Sequence, residues 1–238
     1  SEYINGKLRY KLAYCPYSSL AELNVFGDLR AGHWKEIFKT VLSVSSNLAN
    51  ISPAKMGSLE SLFKKTESRI ALLDSEKFPV DYLRSLVLKV SCHLKEYKQV
   101  HSHGDLCLSN ILWDFRSSRP KLIDPRGLDL DDNVSTILPI IYDLGKLTHS
   151  IHGLYDHIVY KRFRIVSDTL LFDTEVEDKS MVLSKILFDL IYEKYGIDKK
   201  ELVAMEILLF VGMIPLHYDD ITRQRAFILN LKRLEKEL

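Results

Sequence analysis

The feature that most constrains this fold is a polar loop followed by two short apolar runs, within residues 103–127. Asp105 and Asn110 precede the first apolar run, 111–113, and Asp124 follows the second. Short apolar runs separated by polar residues predict a buried β-hairpin. Such a hairpin places Asp105 and Asn110 before its first strand and Asp124 at the end of its second. We therefore expect these three side chains to converge.

An Asp, an Asn and a second Asp that meet in space offer oxygen ligands, which suit Mg²⁺ with bound phosphate. The pattern His103-x-Asp105-x-x-x-x-Asn110, followed by a hydrophobic strand and Ile-Asp124, resembles the catalytic and metal-binding loops of one superfamily. This is the aminoglycoside phosphotransferase and choline kinase superfamily, whose members are relatives of the protein kinases. The segment 142–146, Tyr-Asp-Leu-Gly-Lys, is similar to a helix start of the same superfamily.

The resemblance implies a role for each motif residue. Asp105 would be the catalytic base that orients the acceptor hydroxyl, and His103 would hydrogen-bond backbone beneath the catalytic loop. Asn110 and Asp124 would hold Mg²⁺ on the phosphates of ATP, and Asp143 would brace the loop. The residues after the metal-binding Asp are Pro-Arg rather than Phe-Gly, a departure that is common among small-molecule kinases.

The first residues predict a β-hairpin over 2–14, since Asn-Gly at positions 5 and 6 is a strong turn signal. Ser18 or Ser19 could cap a short helix that begins near Leu20. In the resembled superfamily, a hairpin, a break and a short helix end the N-terminal lobe at the hinge. The resemblance then implies that the hinge backbone receives the adenine of ATP, at the following residues: Leu12, Ala13, Tyr14 and Cys15.

These features predict an α+β fold, a protein-kinase-like C-lobe that is mainly α-helical with small β-hairpins and largely lacks an N-lobe. Residues 1–19 would be a remnant of the N-lobe hairpin and hinge, and residues 20–238 the helical C-lobe with its catalytic and metal-binding loops. No Gly-rich phosphate loop precedes the hairpin in this sequence. We therefore expect a fragment or one domain of a longer polypeptide, poorly active alone, with an N-lobe or a fused nucleotidyltransferase domain upstream.

A weaker resemblance concerns the segments 17–23 and 213–224. They are similar to kinase-like domains encoded with bacterial surface-polysaccharide enzymes, some of which are fused to sugar nucleotidyltransferases. That resemblance implies a sugar or an envelope metabolite as the acceptor.

Apolar residues at three- and four-residue intervals predict helices along most of the remaining chain. Residues 51–57 are predicted as a loop, and residues 158–176 as an extended segment with a turn at 167–168. The predicted helices span 33–51, 59–73, 81–97, 139–149, 180–195, 199–211 and 222–238.

An acidic run follows the metal-binding loop, where a kinase-like fold opens toward the acceptor. Asp129 or Asp132 would bind a cationic or hydroxyl-rich substrate; alternatively, the run is a solvated loop whose Asp residues cap the next helix. Arg126 could neutralise phosphate charge or pair with the acidic run.

Two further candidate regions lie downstream. His149 and His152 share a helical face, so a metal site is conceivable, although no third ligand is convincing; the rim of a substrate pocket is the alternative. His217 or Asp219 could reach the acceptor pocket, or an Asp at this corner could simply cap the last helix.

Composition limits the classes of partner. The net charge of +1 gives no case for nucleic acid or an anionic membrane surface, and no apolar run approaches the ~20 residues of a membrane span. Three cysteines without CxxC spacing are typical of reduced thiols, so we expect a cytoplasmic protein.

The predicted function is ATP-dependent transfer of the γ-phosphoryl group to a small-molecule acceptor, with Mg²⁺ as cofactor. The acceptor could be a sugar, a choline- or ethanolamine-like alcohol or an amino-acid-like molecule. The alternative is a non-catalytic, pseudokinase-like binding or regulatory module of a larger polypeptide. A metal-dependent hydrolase could use the same carboxylates, but the chain lacks a His-rich ligand set.

Overall fold

The computed structural model describes the backbone of residues 2–4 and 7–9 and the whole chain from residue 14 to residue 238. It is a mixed α+β structure, mostly helical (56%), with small antiparallel sheets, as the sequence predicts at that level. The Asn-Gly turn and the hinge positions Leu12 and Ala13 lie outside the described residues.

The helices of the described chain are α1 (Leu20–Phe26), α2 (Ala31–Ala49), α3 (Glu60–Ile70), α4 (Val80–Ser91), α5 (Ile140–Ile151), α6 (Tyr155–Val159), α7 (Thr174–Tyr195), α8 (Lys199–Met213) and α9 (Ile221–Leu234). The strands are β1 (Glu2–Ile4), β2 (Lys7–Arg9), β3 (Lys55–Gly57), β4 (Tyr97–His101), β5 (Ile111–Asp114), β6 (Arg119–Leu122), β7 (Ile137–Pro139), β8 (Arg164–Val166) and β9 (Thr169–Leu171). β3, β4 and β7 form one sheet in that order, and the other strands pair as hairpins. The pairing of β1 with β2 confirms the first hairpin within its described residues.

Helix α8 is the centre of the core. Its side chains from Glu201 to Met213 are buried all round, and the helix packs against α3, α4, α5 and α9. Asp198 caps this helix: its carboxylate accepts from the backbone N–H of Glu201, and its own backbone N–H donates to the Glu201 carboxylate. The apolar sequence predicts this buried helix correctly. Because α5 packs on α8, the elements that carry the candidate site rest on the core.

The hairpin of β5 and β6 confirms the prediction from the two apolar runs. Ile111 pairs with Leu122 in an antiparallel register, and Trp113 is buried. The chain before α1 runs beside β5, since the Ser18 carbonyl accepts from the backbone N–H of Trp113 at 3.0 Å. Ser19 then caps α1 in a capping box with Glu22, as the sequence predicts.

Two predictions around the central sheet are wrong. Helix α4 ends at Ser91 instead of residue 97, because Tyr97 begins strand β4 between β3 and β7. The predicted loop 51–57 contains β3, which pairs with that strand. Both errors arise because strand pairing joins segments far apart in the chain.

The prediction of an extended segment over 158–176 is correct only in its middle. Strands β8 and β9 form a hairpin that turns at residues 167–168, but α6 ends at Val159. Helix α7 begins at Thr174, six residues before the predicted start at 180. Its predicted end is confirmed, since Gly196 follows in the left-handed conformation (φ +65°).

The last helix begins at Ile221, with Asp220 as its cap, and ends at Leu234. Asp220 Oδ1 accepts from the backbone N–H groups of Thr222 and Arg223. Capping by an Asp at this corner is thus confirmed. From the described part of the chain, no helix is both long and apolar enough to cross a membrane.

Candidate functional site

A buried carboxylate braces the candidate catalytic loop. Asp143, in the first turn of α5, is 1% exposed and accepts from the backbone N–H of His103 at 2.8 Å and of Gly104 at 2.9 Å. Gly104 adopts φ +80°, and a Cβ there would lie 2.7 Å from Cβ of Arg126. The loop therefore needs glycine both for its backbone conformation and for the close approach of the segment that contains Arg126.

The ring of His103 joins the two loops. Its Nε2 lies 2.9 Å from the carbonyl oxygen of Ile123, and its Nδ1 accepts from the backbone N–H of Asp105 at 3.3 Å. Both contacts fit the tautomer with the proton on Nε2. The backbone N–H of Arg126 also donates to the His103 carbonyl at 2.9 Å. His103 thus lies beneath the loop, with the backbone contacts that the resemblance implies.

The carboxylate of Asp105 is held through both of its oxygens. Oδ2 accepts from the side-chain amide of Asn110 at 2.9 Å, and Oδ1 pairs with Nζ of Lys146 at 2.9 Å. Burial would raise the pKa of Asp105, but the charge and hydrogen bond of Lys146 outweigh it and leave this pKa below its ordinary value. The carboxylate is therefore ionised, and 36% of its side chain remains exposed.

Asn110 and Asp124 lie next to each other across the base of the hairpin. The backbone N–H of Ile123 donates to the carbonyl oxygen of Asn110 at 3.0 Å, so Asp124 directly follows the paired residue. Asp124 is exposed and adopts φ +57°. Within the ranges that the structure describes, no side chain pairs with its carboxylate.

This pair of side chains fits Mg²⁺ by its donors. The side-chain nitrogen of Asn110 donates to the backbone carbonyl and to the carboxylate of Asp105, so the amide oxygen of Asn110 is available to a cation. Mg²⁺ is commonly held by one or two protein side chains, with water and phosphate completing its octahedron. The described residues contain no group of three His, Cys, Asp or Glu side chains that could hold a metal ion.

The predicted nucleotide-binding hinge, residues 12–15, is described only at its last two positions. Tyr14 is exposed and Cys15 is half-buried, while their predicted partners in the hinge lie outside the described residues. Tyr17 hydrogen-bonds to Asp114 at the end of β5, and the contact of Ser18 with this strand has been given above. The segment 14–19 therefore lies against the hairpin that carries Asn110.

The acidic loop after the hairpin is tied by its own contacts. Asp129 accepts from the backbone N–H groups of Asp131 and Asn133, both at 2.9 Å. Asp132 pairs with Lys65 of α3 and, at 3.4 Å, with Arg126. The guanidinium of Arg126 also donates to the hydroxyl of Tyr142 at 3.0 Å. Arg126 thus pairs with the acidic run, one of the two predicted roles.

Sequence reasoning missed Lys146 as a member of this site. Lys146 follows Asp143 by one turn of α5, and its side chain is only 14% exposed. Burial works against its charge, but Tyr142 and Asp105 raise the pKa of Lys146 above its ordinary value. The signal in the sequence was the (i, i+3) spacing from the bracing Asp143, which places both side chains on one helix face.

His149 lies beside this lysine in the core. Its Nδ1 contacts the Lys146 carbonyl at 2.5 Å, and its ring stacks on Tyr155 with 4.6 Å between centroids. Burial and the charge of Lys146 lower the pKa of His149 to about 3, so the ring is neutral. Its Nε2 is buried without a hydrogen-bond partner in the described chain.

His152 points into different surroundings. Its Nδ1 lies 2.8 Å from Oε2 of Glu206, and its Nε2 lies 3.2 Å from Oε2 of Glu237. Burial alone would lower the pKa of His152, but the two carboxylates raise it to about 9. The residue lines a cleft of about 660 Å³ between α7 and α9, which does not include Asp105. The structure therefore does not bring His149 and His152 together around one metal ion.

His217 lies on the side of Tyr155 that faces solvent. The two rings are 6.2 Å apart between centroids, and the guanidinium of Arg223 lies 3.0 Å from His217 Nδ1. Burial, with the charge of Arg223, lowers the pKa of His217. Asp219 is exposed and pairs with the same guanidinium at 3.4 Å. The side chains that His217 and Asp219 contact here, Tyr155 and Arg223, do not include Asp105.

No protein-family model matches the chain, and no curated protein sequence matches it significantly. The geometry of the loops is therefore what supports a function.

Proposed function

We propose that this chain carries the catalytic half of an ATP-dependent phosphotransferase, a kinase-like C-lobe that phosphorylates a hydroxyl of a small molecule. The observation that carries this proposal is the arrangement around Asp105. Its carboxylate is partly exposed and ionised, Asn110 holds it, and a backbone bond from Ile123 to Asn110 brings the chain at Asp124 to the base of the same hairpin.

The residues of the candidate site have separate roles in this reaction. Asp105 accepts a hydrogen bond from the acceptor hydroxyl and orients its oxygen for attack on phosphorus. A carboxylate with a lowered pKa is a weak base, so it serves mainly to position the hydroxyl. It takes up the proton as the new O–P bond forms and the bond from the γ-phosphorus to the bridging oxygen breaks, which releases ADP. Asp143 and His103 keep the loop in this geometry through their bonds to backbone.

Asn110 and Asp124 would hold Mg²⁺, which when bound offsets the negative charge of the ATP phosphates. Arg126, two residues beyond Asp124, adds a second positive charge near that point. Its pairing with Asp132 and Tyr142 fixes the guanidinium beside the loop. Most of the rate gain in such chemistry comes from positioning and charge stabilisation.

The test is Asp105→Ala in the full-length protein, assayed by Mg·ATP-dependent phosphorylation of an acceptor set. We expect turnover to fall by about 10²–10⁴, the usual cost of losing a positioned acid or base. Asp178→Ala, at an exposed position of α7, is the control and should keep the activity. Activity of the Asp105 variant within about tenfold of the natural protein would disprove the role of this carboxylate.

Calorimetry of Mg·ATP binding separates this proposal from a non-catalytic module. We expect binding that weakens when Asp124 is changed to Ala, because Asp124 would be a metal ligand. A full-length protein that binds no Mg·ATP would favour a pseudokinase-like or regulatory module.

A further inference from the structure

A deeper inference, which rests on the proposed function, concerns the charge of the acceptor. We propose that Lys146 is the built-in counter-charge of Asp105 and that the acceptor is therefore an uncharged, hydroxyl-rich molecule, a sugar or polyol. The inference starts from the pairing of Asp105 Oδ1 with Lys146 Nζ at 2.9 Å, in a site where the lysine side chain is mostly buried.

A site that binds an ammonium group needs a carboxylate without a partner, because a cation taken out of water must be compensated. Asp124 has no side-chain partner among the described residues, but the proposed function assigns it to Mg²⁺; the other described acidic side chains considered for an acceptor already have partners. Asp105 is paired with Lys146, Asp219 with Arg223, and Asp220 with Lys161 at 2.8 Å.

The other acidic side chains of this region are equally unsuited to bind a cation. Asp156 is 2% exposed, and burial raises its pKa to about 7, so the carboxyl is largely shielded from any acceptor. Asp129 is occupied by backbone N–H groups of its own loop, and Asp132 is paired with Lys65 and Arg126. A cationic acceptor would therefore find no unpaired carboxylate among these side chains to compensate its charge.

The positively charged side chains of this region are also paired with carboxylates, so an anionic acceptor would gain little electrostatic attraction. Lys146 is neutralised by Asp105, and Arg223 by Asp219 and Asp220. The aromatic rings packed beside Lys146, those of His149 and Tyr155, are uncharged. Tyr155 stacks on the neutral His149 ring, and His217 lies beyond it.

Aromatic faces with polar edges suit a ring or chain of hydroxyl groups, because they combine apolar contact with hydrogen bonds. Tyr155 and His217 are both half-buried, so part of each remains open to an acceptor. Lys146 keeps two further N–H donors besides the one directed at Asp105, and these can serve an acceptor hydroxyl. Lys146 thus acts as a positioning residue for Asp105 and as the residue that sets the charge of the acceptor.

The experiment compares matched acceptors of different charge on the full-length protein with Mg·ATP. The uncharged set is glucose, galactose, mannose, glycerol, ribitol and 3,3-dimethylbutanol; the charged set is glucosamine, choline, ethanolamine and the hexose 6-phosphates. Phosphorylated products are measured by mass spectrometry, and kcat/KM is determined for each acceptor. We expect the best acceptor to be an uncharged polyol, at least about tenfold better than its cationic partner, because a cation in a partly desolvated site has no unpaired carboxylate to compensate it.

The variant Lys146→Met tests the charge of this lysine through acceptor preference, which would not change if Lys146 only stabilised the structure. Removing the lysine leaves Asp105 with a spare negative charge, so the ratio of kcat/KM for choline over 3,3-dimethylbutanol should rise by about tenfold. Lys146→Arg keeps the charge and should keep the natural preference. Lys39→Met, which removes an exposed lysine paired with Glu36 at 2.8 Å, is the matched control.

The outcomes separate this inference from the proposed function. A protein that binds no Mg·ATP overturns the phosphotransferase itself. A protein that binds Mg·ATP but prefers a cationic or anionic acceptor, or phosphorylates no uncharged polyol of the set, overturns the acceptor class alone. An unchanged acceptor preference in a folded Lys146→Met variant overturns the role of this lysine.

Discussion

The buried triad of His152, Glu206 and Glu237 makes the stability of this protein depend on pH. Glu206 is fully buried in α8, and the imidazole lies between it and Glu237. The two carboxylates raise the pKa of His152 to about 9 against the burial that would lower it, whereas the ordinary value is 6.5. This difference corresponds to about 3 kcal/mol of stabilisation by the charged imidazole.

The direction of this pH dependence follows from proton binding to His152. Between pH 6.5 and pH 9 the folded protein holds a proton on His152 that the unfolded chain has released. The contribution is therefore complete below pH 6.5 and is lost as pH rises through about 9, at up to about 1.4 kcal/mol per pH unit. At the acid end, the bond to His152 lowers the pKa of Glu237 to about 2, so that carboxylate contributes above pH 4.5 and loses its contribution below it.

The perturbation is the double variant His152→Gln/Glu206→Gln. A change of His152 alone would leave the Glu206 carboxylate buried without its imidazole partner, which would add a destabilising effect of its own. The double variant replaces the charged pair with two neutral amides of similar size. Its loss of packing against Phe188, whose ring lies 5.0 Å from the imidazole, does not depend on pH.

The assay is urea unfolding between pH 6 and pH 9.5, followed by the fluorescence of Trp34 and Trp113, which are both buried. We expect the free energy of unfolding of the natural protein, minus that of the double variant, to fall by about 3 kcal/mol across this range. His33→Gln, at an exposed position of α2, is the control and should follow the natural protein. A difference that stays constant with pH would refute the reasoning.

Two further predictions concern buried positions. Burial raises the pKa of Asp156 to about 7, so its carboxyl destabilises the fold increasingly as pH rises from 3.8 to 7. The variant Asp156→Asn should therefore stabilise the protein by up to about 4 kcal/mol at pH 8 and by little at pH 4. Urea unfolding at the two pH values measures this difference. A gain of equal size at both pH values would contradict this. Gly153→Ala should destabilise the fold by about 1–3 kcal/mol, because its Cβ would lie 2.5 Å from the His149 carbonyl oxygen and 2.7 Å from Phe210. Gly32→Ala, whose Cβ meets no neighbour in α2, should instead be neutral or stabilising by up to about 1 kcal/mol in the same assay.

The sequence predicted those features that nearby residues determine. The capping box of Ser19 and Glu22 and the stop at Gly196 rest on interactions within a few residues. The hairpin of β5 and β6 follows from two apolar runs and the turn between them. The approach of the backbone at Asn110 and Ile123, the residue before Asp124, could be expected for the same reason, because one hairpin contains both.

Features that depend on distant pairing were not predictable in this way. Strand β4 forms because β3 and β7 supply its hydrogen bonds, so helical periodicity extended α4 too far. The pairing of Lys146 with Asp105 joins α5 to the loop, and His152 meets Glu206 across a helix interface. The spacing places Lys146 on the helix face of Asp143, but it does not show which distant carboxylate the lysine meets.

The brace on Asp143 also sets when the site can form during protein synthesis. The bond acceptor lies on α5, and α5 is held by α8, which ends at Met213. The ribosome adds the loop of Asp105 long before α8, so the N–H groups of His103 and Gly104 have only water as a partner for much of translation. A nascent chain released before α8 would contain every residue of the motif and still lack its geometry, so assembly of the site is a late event in the making of this protein.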